Sequence, residues 1–372
     1  MVNSLWSIVY GKKRIFLIFL FSFCLYTIYH ILYTPTLAQE SLQISELSCP
    51  AENIADIKKC VEEIKKNGLF PLIKITKTIS CESKTDCEIN FDNLKTEIIL
   101  SGFSSEAPTF KRVGDDFSYS IFNITNSENI KFRNLVFDEG DGSVCKNGGC
   151  QPTINISSSQ GIYLESIKIS GAKESGVKIT NSGQIGISNS QIINSFKNAV
   201  QVTTDQETKG VLLDGNLFEN NGSNAIVFSA KSTVKIPSLI KNNTFSKNHS
   251  KGVYSECTYP CAAGQILIRD GTENLAVQNN KIRGGSSPAL DILGLYPSGI
   301  ELSSTNTKNI DISCNTVTQN KGSGIVQTGT ESTINISVNK NELVNNGINL
   351  NLQKAASLDN CFNEKCATIC SR

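Results

Sequence analysis

From about residue 120 onward the chain alternates apolar and polar side chains in short bursts and sustains no helical period. Period-two alternation over a few residues is the mark of a strand with one face buried. The bursts begin near Phe122, Ile154, Val177, Val200, Ile226, Ile266, Ile300, Ile325 and Ile348, at spacings of 32, 23, 23, 26, 40, 34, 25 and 23 residues. Such recurrence predicts a repeat architecture. Each repeat carries a further pattern, apolar-x-x-Asn-x-apolar, which predicts a second strand. It reads LDGNLF (Leu213 to Phe218), IKNNTF (Ile240 to Phe245), VQNNKI (Val277 to Ile282), ISCNTV (Ile312 to Val317) and VNKNEL (Val338 to Leu343), and ISNSQI (Ile187 to Ile192) has Ser190 in the Asn place.

About 23 residues hold three short strands, so each repeat reads as one coil of parallel β-structure. Stacked coils would align Ser190, Asn216, Asn243, Asn280, Asn315 and Asn341 in a column. Asn suits that place because its amide can bond the amides above and below while tolerating a tight bend. A leucine-rich or helical repeat would show another period. Ahead of the repeats, Ile54, Ile57, Val61 and Ile64 fall at helical spacing in ENIADIKKCVEEIKKNG, and Gly68 marks the helix end. KTEIILSGF, from Lys95 to Phe103, reads as a strand.

These features resemble the right-handed parallel β-helix proteins of the pectate-lyase-like superfamily, over roughly residues 50–352. The resemblance implies an all-β fold, a right-handed parallel β-helix solenoid with an N-terminal amphipathic capping helix. Such a helix covers strand edges that would otherwise recruit other chains. The implied division is a targeting segment at 1–38, capping helix and opening coils at 39–120, β-helix repeats at 121–352, and a Cys-rich C-terminal cap at 353–372.

Lys12-Lys13-Arg14 precedes an apolar run from Ile15 to Leu32, broken only by Ser22, Thr27 and His30. About 17–25 apolar residues suffice to span a bilayer, and the flanking charges put the start of the run on the cytoplasmic side. Ala38 of Thr36-Leu37-Ala38 supplies the small residue a signal peptidase takes before Gln39. A cleaved signal peptide and an uncleaved anchor both remain open. Either exports everything after residue 38, so the expected location is secreted or extracytoplasmic, with membrane attachment through residues 15–32 if uncleaved.

Of 13 cysteines, Cys24 lies in that run and the rest fall in close sets: Cys49/Cys60, Cys81/Cys87, Cys145/Cys150, Cys257/Cys261, and Cys314 with Cys361, Cys366 and Cys370. In an exported chain these predict disulfides, with connectivity left open. No set is a paired CxxC with histidines behind it, which disfavours zinc. Six sequons stand at Asn123, Asn155, Asn221, Asn242, Asn248 and Asn335. They read as glycan acceptors or as products of strand alternation in an Asn- and Ser-rich chain.

Composition removes several functions. Of 35 basic residues, Lys12, Lys13 and Arg14 precede residue 38, which leaves 32 against 34 acidic, a net of −2. That balance offers no footprint for nucleic acid. Beyond residue 38 there is neither Trp nor Met, and His249 is the only histidine. A Ser-His-Asp triad or a multi-histidine metal site would have to run on that single imidazole.

Enzymes of the superfamily work on the outer face of one sheet, in a groove walled by long turns. With Ile154 and its equivalents inward, one outward column reads Asn123, Asn155, Lys178, Gln201, Val227, Leu267, Glu301, Val326, Asn349. The other reads Thr125, Ser157, Thr180, Thr203, Ser229, Arg269, Ser303, Thr328, Asn351. Arg269, followed by Asp270, breaks a ladder of hydroxyls and amides. The long turns after Phe245 (His249, Tyr254) and after Ile282 (Arg283, Asp291, Tyr296) bracket its coil.

The lyases and epimerases of the superfamily abstract the proton beside a sugar carboxylate, which needs a base and positive charge for the enolate-like intermediate. The resemblance thus implies Arg269, Asp270, His249 and Glu301 as catalytic candidates. Arg269 would hold the carboxylate, Asp270, His249 or Tyr254 would exchange the proton, and Glu301 would orient the guanidinium. Lys178, Arg283, Asp291, Tyr254 and Tyr296 would bind the sugar chain, and stacking would rest on Tyr163, Tyr254, Tyr259 or Tyr296.

Three family patterns are missing. They are the aspartate cluster of the pectate-lyase calcium site, the paired aspartates of polygalacturonases and the Tyr-Gly/Asp-Pro-His pattern of mannuronan epimerases. No cofactor is implied, and calcium has no clear site. Asp138, Glu139 and Asp141 read as a solvated acidic loop about four coils from Arg269. Two functions stay open: lyase or epimerase action on an acidic polysaccharide around Arg269, or a non-catalytic glycan-binding or structural module.

Overall fold

The computed structural model describes residues 48–67, 72–103, 107–113, 117–141, 149–251, 264–285, 296–302, 306–328, 334–352, 356–358, 360 and 362. Their strands all pair in parallel, residue for residue from coil to coil, as in Phe122↔Ile154, Ile154↔Val177, Val177↔Val200 and Val200↔Ile226. Each coil contributes three strands. The first and second rows join into one 22-stranded sheet, and the third row forms a 10-stranded sheet. The inward positions are Ile, Val, Leu and Phe, nearly all fully buried. Phe91, Phe110, Phe122, Phe132 and Phe137 pack together, mostly edge to face, at centroid distances of 4.9–5.6 Å in the early coils.

The three corners of a coil bend sharply, and a polar column runs up each. At the first corner, between the first and second strands, Ser127, Ser159 and Ser182 each accept a backbone N–H from the coil below, at 3.0–3.1 Å. At the second corner stands the expected amide column. Asn216, Asn243, Asn280, Asn315 and Asn341 each accept from the backbone N–H of the preceding member, at 2.9–3.0 Å. The residue just before each member, and before Ser190 at the head of the column, takes a left-handed conformation, with φ between 50° and 69° at Asn189, Gly215, Asn242, Asn279, Cys314 and Lys340. Asn and Gly tolerate that conformation best. The apolar-x-x-Asn-x-apolar motif is therefore a corner and not a strand. Leu213 lies in the strand Val211–Asp214, and Phe218 in the next strand, Leu217–Glu219.

A second amide column, which the sequence reading does not contain, occupies the third corner five residues later. Ser195, Asn221, Asn248, Asn320 and Asn346 are its members. One coil has Gly285 where the amide belongs, and Gln265 fills the gap. It accepts from Asn248 Nδ2 (3.0 Å) and donates to Asn320 Oδ1 (2.7 Å). A Cβ on Gly285 would come within 3.3 Å of the Gln265 side chain, so the glycine leaves room for the substitute. Two sequons, at Asn221 and Asn248, belong to this column and are fully buried.

The capping helix spans Ile54–Asn67 and turns Ile54, Ile57, Cys60, Val61 and Ile64 inward. Asn53 caps it by accepting from Asp56 N (3.0 Å), while Asp56 accepts from Glu52 N (3.0 Å). A Cys49–Cys60 disulfide ties the helix to the strand Ser48–Ala51, and Cys150 and Cys314 are also disulfide-bonded.

Two expectations need correction. Cys81 and Cys87 are free, buried thiols, Cys81 on the strand Ile79–Cys81 and Cys87 at the end of the short helix Lys84–Cys87. The last coil is also shifted by two residues: Leu350, not Ile348, follows Ile325, and Asn351 follows Val326. Alternation in INLNL fits either register. The core decides, because Leu350 packs against it while Ile348 is 55% exposed. The apolar run at residues 15–32 and the cysteines at 361–370 lie outside the described residues, and no described helix is long and apolar enough to cross a membrane.

Candidate functional site

The outward columns of the first row exist and bond from coil to coil. Asn155 Nδ2 donates to Asn123 Oδ1 (2.8 Å), Asn123 Nδ2 to Asn90 Oδ1 (3.1 Å), and Thr125 and Ser157 hydroxyls meet at 3.2 Å. In the later coils that column is closed to solvent: Gln201, Val227, Leu267, Glu301 and Val326 are at most 8% exposed. The accessible polar groups lie instead at the end of the row. Arg269 directly follows the strand Gly264–Ile268, half-exposed, and its N–H donates to Phe228 O (2.8 Å). Arg269 O accepts from Thr272 N (3.3 Å) and Thr272 Oγ1 (2.7 Å), and Gly271 takes φ 76°. Arg-Asp-Gly-Thr is therefore a tight turn at the first corner, with Asp270 exposed at its tip.

The structure divides the sequence-derived set. Arg269 and Asp270 share the first corner. Glu301 lies on the next strand, paired beside Leu267, and accepts from Thr328 Oγ1 (3.2 Å). His249, Arg283 and Tyr296 sit toward the third corner, about one strand length (~16 Å) from Arg269. Arg283 Nε donates to Gln319 Oε1 (2.7 Å), and Lys321 lies 5.2 Å from the Tyr296 ring. Lys178 is three coils below Leu267, ~14 Å away. Tyr254, Tyr259, Asp291 and Ser303 lie outside the described residues.

His249 is 1% exposed, with Nε2 at 3.1 Å from Gly264 O. Burial pushes its pKa down to about 4, only partly offset by that carbonyl. A neutral, sealed imidazole is placed to hold the corner. Because the unfolded chain takes up the proton first, its stabilising contribution is whole above pH ~6.5 and is lost as pH falls toward 4, about 3 kcal/mol in all. We expect His249→Gln to flatten the urea-midpoint slope across that window; a variant with the parental slope would contradict the assignment. Glu139, whose pKa burial raises, works in the opposite direction, so the difference between variants is the readout.

The acidic loop also differs from expectation. Asp141 is solvated and pairs with Lys173 (3.1 Å), but Glu139 is buried and faces Arg112 at 3.4 Å. A lone charge in a loop looks solvated in sequence; here its partner lies one coil earlier in the chain, on the strand Thr109–Arg112. Among the described residues no three His, Cys, Asp or Glu converge as a metal site.

The sequence reading also missed a polar cleft of about 390 Å³ at the first corner of the lower coils, lined by Glu128, Gln160, Asn181, Glu207 and Lys209 among others. Its only signal was a coil spacing of 26 instead of 23 residues. The strand Val200–Thr208, nine residues where the preceding coil has four, makes the wall.

Residues 115–260 match the family described as right handed beta helix region. Among solved structures, ORF18 of Geobacillus virus E2 aligns with TM-score 0.60 at 11% identity, over 86% of this chain and 62% of that one. The chain thus spans about three fifths of that viral protein. The Streptococcus pneumoniae surface adhesin PfbA aligns with TM-score 0.54 at 12% identity, over 86% of this chain and 90% of the adhesin. An alginate lyase from Paenibacillus sp. str. FPU-7 gives 0.52 at 12% identity, over 85% and 99%. No curated protein matches the sequence. The chain is a right-handed parallel β-helix of the pectate-lyase-like fold.

Proposed function

We propose that this β-helix is exported and binds an acidic polysaccharide, with Arg269 receiving a uronate carboxylate at the first corner. The observation that carries the reading is Arg269, part-exposed at the end of a row whose described polar members from Thr125 to Thr328 are otherwise uncharged, with the column beside it closed to solvent from Gln201 to Val326. Bidentate pairing would fix the carboxylate, and the likeness to an alginate lyase supports a carbohydrate partner. In affinity electrophoresis through alginate or polygalacturonate, Arg269→Ala is expected to weaken retention about 10- to 100-fold, the loss of a charge-assisted hydrogen-bonded pair. Retention equal to the parent would remove Arg269 from the site.

A second reading is turnover by proton abstraction, favoured by the exposed Asp270 next to Arg269. Arg269 would stabilise the enolate-like intermediate and Asp270 would take the proton. Unsaturated ends followed by ultraviolet absorbance, or proton exchange followed by NMR, would report it, and both should vanish in Asp270→Asn. Binding without either signal leaves the non-catalytic reading.

A further inference from the structure

We infer that the first-corner cleft, together with Tyr163 beside it as a stacking platform, is a binding site for an uncharged pyranose segment of a polysaccharide. This is a separate site and does not rest on the role of Arg269.

Tyr163 points outward from the strand Gln160–Glu165 and is 38% exposed. In the register of the second row it stands opposite Gly186. Its ring lies against that glycine: a Cβ at position 186 would meet Tyr163 Cδ1 at 2.7 Å. One face of the ring is therefore held by the sheet, and the side chain is fixed before any ligand arrives.

From the phenol a chain of polar groups leads into the cleft. Gln184 Nε2 donates to Tyr163 Oη (3.2 Å), and Lys209 Nζ donates to Gln184 Oε1 (3.4 Å). On the opposite side Lys95 Nζ donates to Glu128 Oε1 (2.7 Å), and Gln160 bonds the same carboxylate; both hold its pKa down. Asn181 accepts from Asp205 N (3.0 Å), which anchors the lengthened strand as a wall.

The charged residues lining the cleft are Glu128, Glu207 and Lys209, and Lys95 outside it pairs with Glu128, so the cleft has no preference for an anion. Amides and charged groups beside an aromatic face are the complement of a sugar ring. Its C–H face suits the aromatic ring, and its hydroxyls both donate and accept. A volume of about 390 Å³ accommodates one to two rings. A ring on a strand glycine also shields the sheet, so the test must separate the two roles.

The full-length chain would be examined by saturation-transfer difference NMR with maltohexaose, cellohexaose, laminarihexaose and xylohexaose, and with tetragalacturonate for comparison. At least one neutral hexaose should receive saturation at its ring C–H protons. Tyr163→Ala should bind it about tenfold more weakly and Tyr163→Phe nearly as well as the parent. Gln184→Ala, an exposed change that leaves the ring in place, should weaken it several-fold and keeps the test valid if Tyr163→Ala fails to fold. Arg269→Ala should leave neutral-sugar binding unchanged, which separates this site from the uronate site. No transfer to any neutral hexaose, or unaltered binding by folded Tyr163→Ala and Gln184→Ala, overturns the proposal.

Discussion

Arg112→Met alone is expected to destabilise the protein by about 3–5 kcal/mol, while Arg112→Met combined with Glu139→Leu should recover most of that loss. Both side chains are at most 1% exposed, and they face each other at 3.4 Å. Arg112 Nη2 donates to Tyr119 O (3.0 Å), and the guanidinium lies 4.5 Å from the Tyr119 ring and 5.1 Å from Phe117. Glu139 Oε1 accepts from Thr153 Oγ1 (2.8 Å). Removing one partner strands the other charge in an apolar interior, where solvation cannot compensate. Removing both leaves only a packing problem. Urea midpoints of the two singles and the double, at pH 7, decide the matter. Singles within about 1 kcal/mol of the parent would show that the pair is better solvated than its burial implies.

Asn280→Ala is expected to cost about 3–5 kcal/mol, chiefly through unpaired neighbours. Asn280 Oδ1 accepts from Asn243 N and Asn243 Nδ2 (both 3.0 Å), and its Nδ2 donates to Ile240 O (2.8 Å) and Asn315 Oδ1 (3.0 Å). The side chain is 1% exposed, so water cannot replace those bonds. Coils in a solenoid contact only their neighbours. The damage should therefore appear as faster amide exchange in the strands Ser238–Lys241, Glu273–Gln278 and Lys308–Ser313, while the early Phe-rich coils keep their protection. Uniform loss of protection along the whole chain would contradict this local picture.

The features legible in the sequence were those repeated at the same place in every coil. Ile154, Val177, Val200 and Ile226 announced the first row, and Asn216 to Asn341 announced one column. The helix Ile54–Asn67 was visible because its apolar positions follow a single period. Features that depend on what fills a gap were not legible. The second column is broken by Gly285, and the residue that mends it, Gln265, comes from a different strand. Glu139 looked like loop charge because its partner precedes it by a whole coil. Arg269 stood out as an anomaly in a regular row, but the sequence could not show that the neighbouring row is closed while Arg269 stays accessible. Tyr163 drew attention only as one of several aromatics; its use depends on Gly186 in the next coil.

The substitution of Gln265 for an absent amide has a consequence for how such chains change length. Between Asn248 and Gln265 lies the widest interval of the third corner, and yet the hydrogen-bonded line passes through it unbroken. What the column requires is one carboxamide at the right height, whichever stretch of backbone delivers it. The length of chain between these two residues can thus change without renumbering the scaffold. The same indifference would let an engineer insert a foreign segment between them, provided Gln265 is kept to carry the line across.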